Sequence, residues 1–169
     1  MSRTGRMFCG IAVVAVALFA VLIVISLGWL SPEGLSNFDA RLLGYDVDAA
    51  QAYLAALPDS GRALYLGVFR WLDTVFPVLA AFTIGGATWM IMAEHHLVRR
   101  IAALGMAAAY LVMDLAENAY VAQMLRSEGS VAQALVDRSS DMTQLKWLFL
   151  GLSLILLLAL WRRNKGGAA

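Results

Sequence analysis

The stretch MDLAENAYVAQML, residues 113–125, decides how this chain folds. It sits inside a long apolar run, yet Asp114, Glu117 and Asn118 fall within five residues of one another. Charged and amide groups in hydrocarbon are costly unless they turn toward a partner. Read as a helix at 100° per residue, Tyr110, Asp114, Glu117, Asn118 and Val121 occupy an arc of about 100°. The segment therefore presents one polar face, and other helices must supply what that face pairs with.

The surroundings agree. Of 169 residues, 61% are hydrophobic and only 15% are charged, against about 25% charged in a soluble domain. The apolar residues come in long blocks, which marks an integral membrane protein. The net charge of +1 and the lack of a basic cluster interleaved with aromatics exclude nucleic acid as a partner. Cys9 is the sole cysteine, so an internal disulfide or a C-x-x-C pair is excluded; it reads as a small apolar residue at a helix start.

A membrane helix needs about 20 residues to cross roughly 30 Å of hydrocarbon. Four segments meet this, at about 8–30, 64–93, 100–125 and 142–161. The first follows Arg3 and Arg6 but exceeds a signal-peptide core of about 7–15 residues and has no small-x-small cleavage site, so it is expected to be retained. No linker or repeat divides residues 1–169, and a single four-span domain is the expectation. Arg3, Arg6, Arg99, Arg100, Arg162, Arg163 and Lys165 gather on one side in short tails and a short loop. Arg41, Arg62, Arg126, Arg138 and Lys146 are spread over longer, acid-rich segments on the other. The positive-inside rule then predicts the cell inner membrane with both termini cytoplasmic. Trp29, Trp71 and Trp147 fit the outer interface, Trp89 and Trp161 the inner one.

In the first outer loop, Val47, Ala50, Tyr53, Leu54 and Leu57 recur at three- and four-residue steps before Pro58 and Gly61. This predicts a short amphipathic helix on the outer surface or over the bundle mouth. Ser36 with Asp39 makes a capping-box pattern ahead of Leu42 and Leu43. SVAQALVDR (131–138 with Ser130) is a weaker amphipathic stretch, and Asp141 with Gln144 is expected to cap the fourth span.

Depth follows from a rise of 1.5 Å per residue. Arg70 and Asp73 lie roughly 12 and 16 Å in from the outer side, Glu117 and Asn118 roughly 12–14 Å, Asp114 roughly 18 Å and Lys146 roughly 8 Å with a long stem. The candidate site is this layer of Arg70, Asp73, Asp114, Glu117, Asn118 and Lys146. Two cations face three carboxylates, so one carboxyl group is either protonated or completed by something cationic or hydrogen-bonding. Pro77 removes the amide that would bond the Asp73 carbonyl, leaving a freed acceptor beside the charges. Below, Ala81 and Gly85, with the thin segment GMAAA (105–109), predict close approach of spans two and three. The bundle is expected to be tight on the cytoplasmic side and slightly open outside, with a small cavity there.

Asp114 and Glu117 share a face at i, i+3, a spacing carboxylate–histidine metal bundles use. The histidines, His95 and His96, sit at the other membrane face, so no metal and no cofactor is expected. Together with Glu94, Arg99 and Arg100 they read as a solvated basic turn on anionic lipid heads.

GRALY (61–65), RWLDTVFP (70–77), DLAEN (114–118) and TQLKW (143–147) together resemble a family of small four-span bacterial membrane proteins without assigned function. The resemblance runs from about Gly44 onward. It implies that Arg62, Arg70, Asp73, Pro77, Asp114, Glu117, Asn118, Lys146 and Trp147 belong to the family pattern.

The expected fold is an all-α integral membrane four-helix bundle with a short amphipathic helix in the first outer loop. The leading functional expectation is non-enzymatic: an accessory or interaction protein in the lipid bilayer with a membrane-protein partner. The alternative is a lipid- or amphiphile-binding protein, even an enzyme, with Glu117 or Asp114 as proton acceptor and Arg70 or Lys146 as anion clamp.

Overall fold

A computed structural model describes residues 3–92, 96–127 and 129–166. Helices and helical turns are the only regular elements among them, and no strand is present among the described residues. Helix α1 spans Arg3–Trp29, and two single turns, Pro32–Gly34 and Phe38–Ala40, follow it. A short helix α2, Val47–Ala56, leads to α3, Asp59–Leu64, which runs through a wide turn at Tyr65–Phe69 into α4, Arg70–Ile91. Helices α5, Leu97–Arg126, and α6, Gln133–Gly166, complete the chain. Three stretches, Gly5–Trp29, Asp59–Ile91 and Gln133–Asn164, are long and apolar enough to cross a membrane. Helix α5 matches them in length, at 30 residues, but is not among these three.

The long helices alternate in direction. Phe8 of α1 lies against Gly86 of α4, while Phe19 stacks on Phe76 at 5.1 Å, so the two run antiparallel. Gly85 meets Leu104 and Ala107 of α5, and Asn118 meets Asp73, which reverses direction again. Adjacent glycines thus serve two neighbours. A Cβ on Gly85 would stand 3.1 Å from Leu104 Cδ2, and one on Gly86 2.6 Å from the Phe8 ring. The thin contact expected between the second and third spans is present, and α1 uses the same device.

Two apolar clusters result. A large one at the loop end joins Leu30, Phe38, Tyr53, Tyr65, Phe69 and Val136 with neighbours from every long helix. A small one, Ala80, Ala81, Ala107 and Tyr110, lies deeper between α4, α5 and α6. Helix α2 forms where periodicity placed it. Asp46 caps it by accepting from Ala49 N–H at 2.8 Å, a favourable N-terminal arrangement. It seals the bundle mouth: Tyr53 is fully buried and donates its hydroxyl to Leu30 O at 2.8 Å.

Several local expectations are corrected. The cap ahead of residues 38–40 is Asn37, whose side chain accepts from Ala40 N–H; Ser36 is exposed. No helix follows over Leu42 and Leu43, which stand exposed. Helix α6 starts at Gln133, with Asp141 exposed in mid-helix. After Gly129 no proline or glycine interrupts the chain before Gly151, so the amphipathic stretch and the fourth apolar segment fuse into one helix. The wide turn at Tyr65–Phe69, with Gly67 at φ −97° and ψ −108°, carries no proline and was not foreseen; such widened turns recur at functional sites. Arg100 is half-buried rather than solvated. It donates to Trp89 O at 3.0 Å and lies 3.9 Å over the Trp89 ring, capping the carbonyl end of α4 with positive charge. Glu94 and His95 lie outside the described residues, as do the side chains of Arg3 and Lys165.

Candidate functional site

The buried stripe of α4 runs through Tyr65, Phe69, Asp73, Pro77, Ala81, Ile84 and Thr88. On α5 it runs through Ala107, Tyr110, Asp114, Glu117, Asn118 and Val121. On α6 it includes Ser139, Thr143, Lys146 and Ser153. These helical rows converge on the ammonium group of Lys146.

Lys146 Nζ lies 2.8 Å from Asp39 Oδ1, 3.3 Å from Asp114 Oδ1 and 2.5 Å from Glu117 Oε2. The Glu117 contact is a close ion pair outside hydrogen-bond geometry. The other oxygens are also engaged. Thr143 donates to Glu117 Oε1 at 2.6 Å, Tyr65 to Asp39 Oδ2 at 2.6 Å, and Asn118 to Asp114 Oδ2 at 3.4 Å. Trp147 Nε1 donates to the Asp39 carbonyl at 3.0 Å. Tyr45 adds two ties to α6, its hydroxyl donating to Ser139 Oγ and its amide to Ser140 Oγ. Burial opposes ionisation of Asp39, but the Lys146 charge and hydrogen bonds from Lys146 and Tyr65 outweigh it and hold the carboxyl below its ordinary range. Burial raises the Tyr45 hydroxyl well above its usual value, so it remains a neutral donor.

Asn118 answers the question left by Pro77. Its Nδ2 donates to the Asp73 carbonyl at 3.3 Å, the acceptor that the missing proline N–H leaves open. The amide in α5 thereby completes the backbone of α4.

Of the six expected residues, Asp114, Glu117, Asn118 and Lys146 meet directly, and Asp73 stands beside them. Arg70 does not join. It makes no ion pair among the described residues and is only half-buried. Phe69 holds the inward position, and Arg70 lies one residue, about 100°, farther round the helix. Asp39 takes the partner role instead. It was missed because a loop aspartate three residues after a serine reads as a cap; the signal against that reading was the absence of any helical pattern after it. Tyr65, Thr143 and Tyr45 were missed too, though Tyr65 and Thr143 lie on the buried rows that periodicity defines.

No protein-family model, curated protein or solved structure shows a match to this chain.

The network forms one wall of a cavity of about 270 Å³. Asp39, Asp73, Asp114 and Lys146 line its polar end. Phe69, Phe76, Tyr110 and Trp147 add rings to the lining, and α1 contributes Phe19, Ile23 and Leu27. Phe19, Ile23 and Leu27 are also partly exposed on the outside of the bundle, so the cavity reaches the helix surface along α1. Among the described residues no set of three histidine, cysteine, aspartate or glutamate side chains is arranged to hold a metal ion.

Proposed function

We propose that this protein crosses the cell inner membrane four times, with both termini cytoplasmic, and binds a lipid-like amphiphile without transforming it. Helix α5 is the third span. Its own composition is too polar to insert alone, but Asp114, Glu117 and Asn118 are buried against α4 and α6, which removes them from lipid. Such a chain fits the small four-span bacterial proteins that its motifs resemble.

The cavity carries the binding reading. A space with a charged end, aromatic flanks and an apolar wall reaching the bundle surface has the polarity profile of an amphiphile. Lys146 is held by three carboxylates and Arg70 lies off the site, so neither serves as an anion clamp.

Native mass spectrometry of protein extracted in a mild maltoside detergent tests this. Retention of a lipid-like adduct by wild type, and its loss in Ser26→Trp with the unfolding midpoint unchanged, supports the reading, because Ser26 lines the cavity from α1. A protein that carries no adduct and copurifies with one dominant membrane protein returns the accessory role. For topology, a Cys9→Ser background with cysteine at Leu43 or Asn164 should react with impermeant maleimide at 43 in cells with a permeabilised outer envelope. Residue 164 should react only after lysis; the reverse pattern overturns the orientation.

A further inference from the structure

We infer that the amphiphile taken up by this cavity is an organic cation, an ammonium head on an apolar tail, seated against the carboxylate of Asp73. This rests on the binding reading above and adds the chemistry of the head group.

The first argument is charge. Asp39, Asp73 and Asp114 line the polar end with Lys146, and the Lys146 ammonium is already paired with Asp39, Asp114 and, behind the cavity lining, Glu117. Lys146 satisfies three of these carboxylates directly, and Tyr65, Thr143 and Asn118 complete their remaining oxygens. Asp73 is the exception. It is 6% exposed and lines the cavity, yet its Oδ2 is buried with no hydrogen-bond partner among the described residues. Buried polar atoms in folded proteins are nearly always partnered. Asp73 is not a leftover of helix packing either, because Asn118 satisfies its backbone carbonyl and leaves the side chain alone.

The second argument is shape. Phe69, Phe76, Tyr110 and Trp147 line the same cavity as Asp73, and aromatic rings attract ammonium groups, best of all when water is excluded. An inorganic cation fits poorly. Calcium takes about six to eight oxygen ligands, whereas the other carboxylates in this lining, Asp39 and Asp114, already hold Lys146. The volume of about 270 Å³ falls just under the range of about 300–1,000 Å³ typical of small-molecule sites. It suits a compact head with the first part of one chain, the remainder leaving along Phe19, Ile23 and Leu27 toward lipid.

The test is binding of three probes with the same tail, dodecylammonium, dodecanol and dodecanoate, to the full chain in maltoside micelles by isothermal titration. Wild type should bind the ammonium probe about tenfold or more tighter than dodecanol, as expected for contacts to a buried charge. Asp73→Asn should lose that preference while still binding dodecanol. Equal or tighter binding of dodecanol or dodecanoate by wild type, or a preference that survives Asp73→Asn, overturns the inference and leaves the binding reading intact. If wild type takes none of the probes, the binding reading itself fails. Should Asp73→Asn not fold, Phe76→Leu removes a ring without touching charge; it should weaken the ammonium probe severalfold and spare dodecanol, and an unchanged preference counts against the inference.

Discussion

Replacing Asn118 by leucine, with and without the proline opposite it, gives a sharp test of how these helices are joined. Asn118 and Asp73 are both 6% exposed, and the amide of one reaches the carbonyl of the other at 3.3 Å. Leucine keeps the bulk and removes the donor, so the Asp73 carbonyl becomes a buried acceptor with nothing to accept from. Such an orphan costs about 1–3 kcal/mol. Interhelical hydrogen bonds in bilayers average about 0.6 kcal/mol, with a maximum of about 1.7. A loss of about 1.5 kcal/mol is therefore expected. In a Pro77→Ala background the new alanine N–H can bond Asp73 O along the helix, and the same Asn118→Leu change should cost at least about 1 kcal/mol less. A residue remains, because Asn118 also donates to Asp114 at 3.4 Å. Equilibrium unfolding of the four proteins in mixed sodium dodecyl sulfate and maltoside micelles, followed by circular dichroism, measures the cycle. Additivity within about 0.5 kcal/mol, the usual result for independent sites, would refute the account of how α4 is completed.

Lys146→Met should be the most damaging single change, by about 3–5 kcal/mol on the soluble-protein scale, since it strands three buried carboxylates; the same micelle titration measures it, and adding Glu117→Gln should recover part of the loss. Arg70→Gln should shift that midpoint by less than about 0.5 kcal/mol, as befits a residue outside any ion pair. Asp39 gives a pH dependence of defined sign. Its folded carboxyl lies below the ordinary 3.8, so its stabilisation is fully present above the unfolded value and is lost as pH falls through the folded one. The stability gap between wild type and Asp39→Asn should stay level above about pH 5 and close below about pH 4. Gly85→Val should force α5 away from α4, because its first carbon already stands 3.1 Å from Leu104; a cost of about 1–3 kcal/mol is expected, read as a lowered thermal midpoint.

The helices and their inward faces were legible because two periodic signals coincide along them. Asp114, Glu117 and Asn118 share an arc with Tyr110 and Val121, and no arrangement that buries one leaves the others in lipid. Lys146 could be assigned to the same layer from its rise along α6 alone. What sequence could not reveal was where an irregular segment goes. Asp39 belongs to a three-residue turn, and nothing periodic says which way such a turn points its side chains. Arg70 illustrates the complementary difficulty: at 100° per residue it shares an arc with Asp73, Thr74, Pro77 and Ala81, but the buried row runs at four-residue steps through Tyr65, Phe69, Asp73 and Pro77 and passes Arg70 by. The long start of α6 escaped notice because a polar run next to an apolar one looks like a boundary, although no residue in it stops a helix.

The bond between Asp39 and Lys146 spans 107 positions, and that separation orders the birth of the protein. While ribosomes are still making α6, the acids of the earlier segments have no lysine to meet, and the first loop has nothing to grip. Only α6 brings the counter-charge and the indole that draw that loop down.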